Sequence, residues 1–201
     1  MSRLAPAFAA ALLAAVVTGG LASAAPLAPP PEPPVGAPAF GSFADTELGF
    51  ALERPTGQGW AVSTGVATPD GLTIPLLVTH KSAGVQIVVQ VAETDANPQE
   101  MARVLAEHIR EEPGIATGTS MKIGNTAGQK AFGFGFRLGG QAAGRVAVVA
   151  TGERMVLVIA SWPAGAAPDV VGQVDRLVES VHATAPHKGT PASEVLPSDR
   201  L

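Results

Sequence analysis

The residue types that most often perform chemistry are few and scattered in this sequence of 201 residues. The chain has no cysteine and no tyrosine, which excludes thiol nucleophiles, thiolate metal sites, disulfides and lipid attachment to a cysteine. Its four histidines are scattered, and His108 falls on the apolar stripe of a predicted helix, where a packed boundary residue is expected. No serine lies in a Gly-x-Ser-x-Gly elbow. We therefore predict no catalytic residue and no enzymatic activity.

Two short patterns resemble ligand-binding motifs but lack essential positions. Gly133, Gly135 and Gly139 have the wrong third spacing for a phosphate-binding loop, and phenylalanines alternate with them as in a strand. We interpret these glycines as positions where a helix packs closely on the strand. The segment 93–97 has the acidic spacing of a calcium loop, but its sixth position is not glycine and its twelfth is Val104. The sequence thus predicts no cofactor and no metal site.

Aromatic side chains are the remaining candidates for a site. Trp60 and Trp162 each lie beside a predicted strand end, and tryptophan is enriched at binding hot spots, so both are predicted partner-binding residues. Phe132, Phe134 and Phe136 share one face of a predicted strand. Such a stripe is typical of a hydrophobic core, and the alternative is that it lines a cavity for a small apolar ligand.

The first 24 residues have the features of a secretory signal peptide. Arg3 precedes an uncharged apolar run over 4–17, and Ala22-Ser23-Ala24 matches the small-x-small cleavage pattern. We expect cleavage after Ala24 and export, so that the protein is secreted or periplasmic. A retained membrane anchor is the alternative, although the apolar run is shorter than the ~20 residues that a bilayer span needs.

Composition divides the rest of the chain into three parts. Residues 25–43 are predicted to form a proline-rich linker, because proline lacks a backbone donor and favours extended polyproline II. Residues 44–183 form one domain, and residues 184–201 are predicted to be a disordered tail. The net charge of −4 gives no basic surplus, so nucleic-acid binding is not expected.

Strand patterns joined by short turns dominate the predicted domain. Val85 to Ala92 alternates in the period of two that is typical of a half-buried antiparallel strand. Two amphipathic helices are predicted, one that begins after an Asn97 cap with Glu100 completing a capping box, and one over 169–181. The run 155–162 is apolar on both faces, which indicates a central strand covered on both sides.

These elements predict an α+β fold, a three-layer α/β/α sandwich with a mostly antiparallel sheet and one helix on each face. The strands follow one another as hairpins and do not alternate with helices, so a doubly wound nucleotide-binding fold is not expected.

The order of elements resembles the PsbP/Mog/DcrB-like family of α/β/α sandwiches. The resemblance runs from about Glu47 to Val181 and rests on four local patterns: Leu48-Gly49-Phe50 leading through Pro55 to Gly59-Trp60, the capped helix 98–111, Gly128 to Phe136 followed by a hairpin, and Ser161-Trp162-Pro163 before a last helix. The chain departs from the family at Val181, where the final helix commonly ends in Ser-Phe. The resemblance implies a binding or accessory role and transfers no site residue.

Together these observations predict an exported, non-enzymatic accessory domain that acts by protein–protein contact with an envelope or extracellular protein. No stable transmembrane segment is expected after processing. The alternatives are a carrier of a small apolar ligand in a pocket between sheet and helix, and a hydrolase with an unrecognised site.

Overall fold

The computed structural model describes residues 40–68, 72–94, 96–150 and 154–184. The predicted signal peptide, nearly all of the predicted linker and the predicted tail beyond residue 184 lie outside these ranges. The first strand begins at Phe40, so it takes in residues 40–43, which proline content had assigned to the linker.

Within these ranges the chain forms eleven strands and two helices. In chain order they are β1 (Phe40–Asp45), β2 (Phe50–Pro55), β3 (Trp60–Ala67), β4 (Thr73–His80), β5 (Val85–Glu93), α1 (Pro98–Glu111), β6 (Ile115–Thr117), β7 (Met121–Lys122), β8 (Ala131–Leu138), β9 (Ala142–Ala150), β10 (Arg154–Pro163), α2 (Pro168–Ser180) and β11 (His182–Ala183).

A large antiparallel sheet forms the middle layer. Its strand order is β3-β4-β5-β10-β9-β8-β6, and β7 pairs with β8 beside β6. Strand β10 lies at the centre, with Val156 and Val158 in the core on one face and Met155 and Ile159 in the core on the other. The predicted central strand covered on both faces is thereby confirmed.

Helix α1 covers one face of the sheet. Its buried side chains, among them Leu105 and Ile109, pack with Phe134 and Phe136 of β8. Asn97 caps the helix, because its Oδ1 accepts the backbone N–H of Gln99 at 2.9 Å. The predicted capping box is only half formed.

The carboxylate of Glu100 pairs with Arg103 of the next turn, which explains why it does not complete the box.

Helix α2 covers the opposite face, so the predicted helix on each face is confirmed. Val174 and Leu177 of α2 share the core with Phe50 and Leu52 of β2. Strand β2 belongs to a separate three-stranded sheet, in the order β1-β2-β11, which lies beside α2 on the same face. In the described part of the chain, neither helix is both long and apolar enough to cross a membrane.

The C-terminal end of α2 is fixed by side chains that bond to backbone. Ser180 accepts the N–H of Glu53 at 2.8 Å and donates to the carbonyl of Leu177. The amide of Asn125 donates to the carbonyl of Val181, and Gln129 exchanges two hydrogen bonds with the backbone of Ala183. These contacts anchor the C-terminal end of α2, and the helix packs against β2 and β10.

Candidate functional site

An open groove of about 480 Å³ lies between the N-terminal half of α2 and the sheet. Strands β8, β9 and β10 form its floor, the end of β6 with Gly118 forms one rim, and α2 forms the other. Its lining includes the charged side chains of Arg137, Arg145 and Asp175, the indole of Trp162, and the small or apolar residues Gly135 and Val171.

The groove exists because nothing in the α2 layer covers the end of β8. Positions 133, 135 and 137 alternate onto the α2 face, opposite to the phenylalanines that face α1. Gly133 is buried, whereas Gly135 and Arg137 are exposed. The sheet surface is therefore left open where β8 approaches the β8–β9 hairpin.

The two glycines Gly133 and Gly135 of β8 differ in whether the fold requires them. A Cβ at Gly133 would lie 2.4 Å from the carbonyl oxygen of Val146, so the fold requires glycine there. A Cβ at Gly135 would lie 3.6 Å from the carbonyl oxygen of Gly144, an ordinary contact, and its backbone needs no left-handed conformation. Packing therefore does not require glycine at position 135. Its effect is that no side chain at this position fills the groove.

The sequence-based interpretation of these glycines as a helix-packing face is therefore wrong. Gly133 lies under the side chain of Ile123, which is in the loop before β8, and Gly135 is exposed.

Three charged side chains line the groove. Arg145 Nη1 lies 2.8 Å from Asp175 Oδ1, and each side chain is 35 % exposed. This ion pair joins β9 to α2, although its two atoms are not aligned as a hydrogen bond. Arg137 is exposed and has neither an ion pair nor a side-chain hydrogen bond among the described residues. The groove therefore carries one uncompensated positive charge.

Of the two predicted partner-binding tryptophans, only Trp162 lines this groove. Its indole is half-buried and packs partly against the core under α2. Trp60 is also half-buried, donates Nε1–H to Gln173 Oε1 at 3.0 Å and meets the His80 ring edge-on at 4.9 Å. The structure does not bring the two tryptophans together in one lining, and the partner-binding role of each stays a prediction.

The phenylalanine stripe forms part of the core, as predicted. Phe134 and Phe136 are buried between the sheet and α1, and Phe132 packs against the same cluster. The Phe136 ring lies against Gly144 on the α1 side of the sheet, and Phe136 is also among the residues around the groove. The space between the sheet and α1, where the carrier alternative placed a ligand, is occupied here by these rings and the helix.

The polar groups nearest to a hydrolase arrangement are His80 and Ser82 in the β4–β5 hairpin. Ser82 Oγ lies 3.3 Å from His80 Nδ1, but the same nitrogen accepts the N–H of Ala83 at 3.2 Å, which accounts for a turn. No hydrogen bond or ion pair joins His80 to a carboxylate in the described ranges.

His108 lies 3.6 Å from Glu111 at the surface of α1, and its Nε2 is buried without a hydrogen bond. Across the residues that the structure describes, no three acidic or histidine side chains come together as metal ligands.

Sequence reasoning missed Arg137, Arg145 and Asp175 as groove residues. The alternation of β8 already put Arg137 opposite the phenylalanines, which was the available signal. The position of Asp175 over β9 depends on how α2 crosses the sheet, which no local pattern shows.

No family model matches the sequence, and no curated protein sequence matches it significantly. Among solved structures, the chain is similar to cyanobacterial PsbP from Synechocystis sp. PCC 6803, with a TM-score of 0.53 and 13 % identity over 74 % of this chain and 95 % of that one.

Two further structures have TM-scores below 0.5. LpqN of Mycobacterium tuberculosis, described as involved in cell envelope biogenesis, gives 0.43 and 14 % identity, covering 76 % of this chain and 90 % of that one. The Ran-binding protein Mog1p of Saccharomyces cerevisiae gives 0.42 and 12 % identity, covering 72 % and 95 %. At these identities the similarity concerns the fold alone.

Proposed function

We propose that this chain, which has the PsbP-like α/β/α fold, is an exported, non-enzymatic accessory domain that binds another protein through the groove beside α2. The observation that carries the proposal is the groove floor at Gly135, an exposed strand glycine that packing does not require. A side chain there would fill the groove between Trp162 and the β6 rim, so the open floor is a feature of the surface and not of the core.

The composition of the groove and its surroundings favours a protein partner. Tryptophan, methionine and arginine are enriched in protein interfaces, and Trp162 and Arg137 both lie in the lining. Met121 is 62 % exposed and pairs with Gly133, two positions along β8 from Gly135. Since a strand rises about 3.3 Å per residue, this side chain extends the apolar surface by about 7 Å beyond the groove.

The contacts of the reactive side chains support a role without catalysis. The imidazole of His80 is engaged by the turn that contains Ser82, and Ser180 bonds to two backbone groups. The groove itself offers guanidinium groups, a paired carboxylate and an indole, none of which is a nucleophile with an adjacent base.

Export is proposed from the sequence of residues 1–24. In this proposal the signal peptide is removed after Ala24, residues 25–39 tether the domain that begins with β1 at Phe40, this domain binds the partner, and residues 184–201 form a tail. The partner is then an envelope or extracellular protein. N-terminal sequencing of the exported protein tests the cleavage, with Ala25 expected as the first residue and an intact residue 1 as the contrary result.

Filling the groove without disturbing the fold is the sharpest test of the binding proposal. Gly135→Val adds a β-branched side chain to an exposed strand position, so the melting temperature is expected to stay level or rise. Ser63→Val, which makes a similar change at an exposed position of β3 outside the groove lining, is the matched control. Trp162→Ala removes the groove's indole, and Trp60→Phe is its control.

Each folded variant of the mature domain is immobilised and exposed to the native envelope fraction, and the retained proteins are quantified by mass spectrometry. A partner is expected on the wild type and on both controls, and it should be lost from Gly135→Val and Trp162→Ala. Equal retention by Gly135→Val would show that the groove is not the binding surface and would overturn the proposal.

A further inference from the structure

We infer that the groove binds an extended peptide segment of the partner that carries an acidic residue two positions away from an apolar one. Arg137 holds the carboxylate, and the indole of Trp162 receives the apolar side chain. This inference rests on the proposed function, because it specifies which partner chemistry the same groove recognises.

Arg137 carries a positive charge that no acidic side chain of the described residues balances. Some arginines in the described ranges have acidic partners on the surface, since Arg103 pairs with Glu100 and Glu107, and Arg176 pairs with Glu53. Arg54 and Arg110 have no acidic partner in those ranges, but neither lines the groove. Arg137 has no such partner there, although the chain as a whole carries a net charge of −4. A guanidinium in a groove wall is well suited to hold a carboxylate, because its planar fork matches the two oxygens.

The other arginine of the groove, Arg145, already has an acidic partner. Arg145 is held by Asp175 across the groove, so its charge is compensated and the pair serves as part of the wall. A second carboxylate bound near it would face the Asp175 side chain and be repelled. The groove is therefore complementary to a single acidic side chain and not to an acidic run.

Strand register in the groove floor places Arg137 and Trp162 in one row. Ala143 of β9 is opposite Arg137 on β8 and opposite Trp162 on β10, so the three residues form one row on the same face of the sheet. Neighbouring strands lie about 4.8 Å apart, which places the backbones of Arg137 and Trp162 about 10 Å apart with only a methyl group between them. An extended peptide lying over Ala143 can reach both side chains.

This spacing defines the motif. Residues two positions apart in an extended peptide point to the same side and are separated by about 7 Å. The side chains of Arg137 and Trp162 are long and flank Ala143. An acidic residue at one peptide position can therefore reach Arg137, while an apolar residue two positions away reaches Trp162. A peptide in which the two residues are adjacent would point them to opposite sides.

Selection from a random heptapeptide display library tests this inference directly on the mature domain. Peptides enriched on the wild type are expected to contain Asp or Glu two positions from a large apolar residue. Synthetic copies labelled with fluorescein should bind Arg137→Glu about tenfold more weakly or worse. Selection on Arg137→Glu should instead enrich Lys or Arg at the position of the acid.

Lys122→Glu is the matched control for this charge reversal. Lys122 lies on β7 opposite Phe132, so it shares the α1 face and not the groove face. The Lys122→Glu variant changes the net charge as much as Arg137→Glu does, and its affinity for the peptides is expected to stay within about twofold of the wild type.

The outcomes separate this inference from the proposed function. If the enriched peptides contain no acidic residue but bind Gly135→Val more weakly than the wild type, the acidic motif is overturned, whereas the groove is supported as the binding surface. Peptides unaffected by both Arg137→Glu and Gly135→Val, or no enriched peptide at all, would count against both.

Discussion

The indole Nε1–H of Trp60 donates to Oε1 of Gln173 over 3.0 Å and thereby joins strand β3 to helix α2. Gln173 lies on the side of the helix away from Val171 and Asp175, which face the groove. Helix α2 is therefore held on one side by Trp60 and on the other by the ion pair of Asp175 with Arg145. The two tryptophans that looked equivalent in sequence thus lie in different environments around the same helix.

Trp60→Ala is expected to lower the free energy of unfolding by about 2 kcal/mol, because it removes a half-buried ring and its hydrogen bond. Gln173→Ala should lower it by about 1 kcal/mol, and the double variant should be less destabilised than the sum of the two. Urea unfolding of the mature domain measures all three. Strict additivity would mean that the hydrogen bond contributes nothing.

The two glycines of β8 should respond in opposite ways to alanine. Gly133→Ala forces a Cβ against the carbonyl of Val146 and is expected to lower stability by about 2 kcal/mol. Gly135→Ala meets only ordinary contacts, and removing backbone freedom from the unfolded strand should raise stability by ~0.5 kcal/mol. Thermal unfolding monitored by circular dichroism distinguishes them. Equal destabilisation would show that Gly135 is needed by the fold.

Ser180 is predicted to be important for the junction between α2 and β2. Its side chain is 2 % exposed and accepts the N–H of Glu53. Ser180→Ala leaves that donor without its partner, so the free energy of unfolding should fall by about 1–2 kcal/mol. Ser63→Ala, at an exposed position of β3, is the control and should change stability little. Denaturant titration provides the comparison, and similar values for both would contradict this role.

The surface pair on α1 should be visible in a titration. The hydrogen bond from Arg103 lowers the pKa of Glu100 below its ordinary value, and the positive charge of Arg103 acts in the same direction. A depressed carboxyl pKa means that folding favours the ionised form. The contribution of the pair is therefore present at neutral pH and is lost as the pH falls through the lowered pKa.

NMR titration of the Glu100 side-chain carboxyl carbon measures this shift. Arg103→Leu should return the Glu100 pKa towards its ordinary value, and high salt should reduce the shift in the wild type. A titration midpoint that does not respond to Arg103→Leu would show that the pair is not formed in solution. The effect on overall stability is expected to be small, since both side chains are exposed.

The sequence predicted the elements that depend on local pattern. The alternation of Val85 to Ala92 identified β5, the two-sided apolar run over 155–162 identified β10 as the central strand, and Asn97 marked the start of α1. The three-stranded sheet beside α2 was not predicted. Its outer strands are Phe40–Asp45, next to the proline-rich segment, and the two-residue β11, and neither has a periodicity long enough to recognise.

The groove depended on contacts between segments distant in the chain. Its row of Arg137, Ala143 and Trp162 is set by strand register over three strands, and its wall is set by the crossing of α2, which brings Asp175 to Arg145. The sequence marked Trp162 as a candidate but could not separate it from Trp60, since both follow the same local rule of a tryptophan beside a strand end.

The amino-acid sequence by itself determined the layered α/β/α architecture and the faces that become core, because amphipathic periodicity is a local property and apolar faces must be buried. Only the tertiary structure decided which part of the α2 face stays open, which of the two groove arginines is left without a counter-charge and which tryptophan lines the opening. These depend on how far a helix extends over a sheet and on strand register, and both are set by packing between residues far apart in the chain.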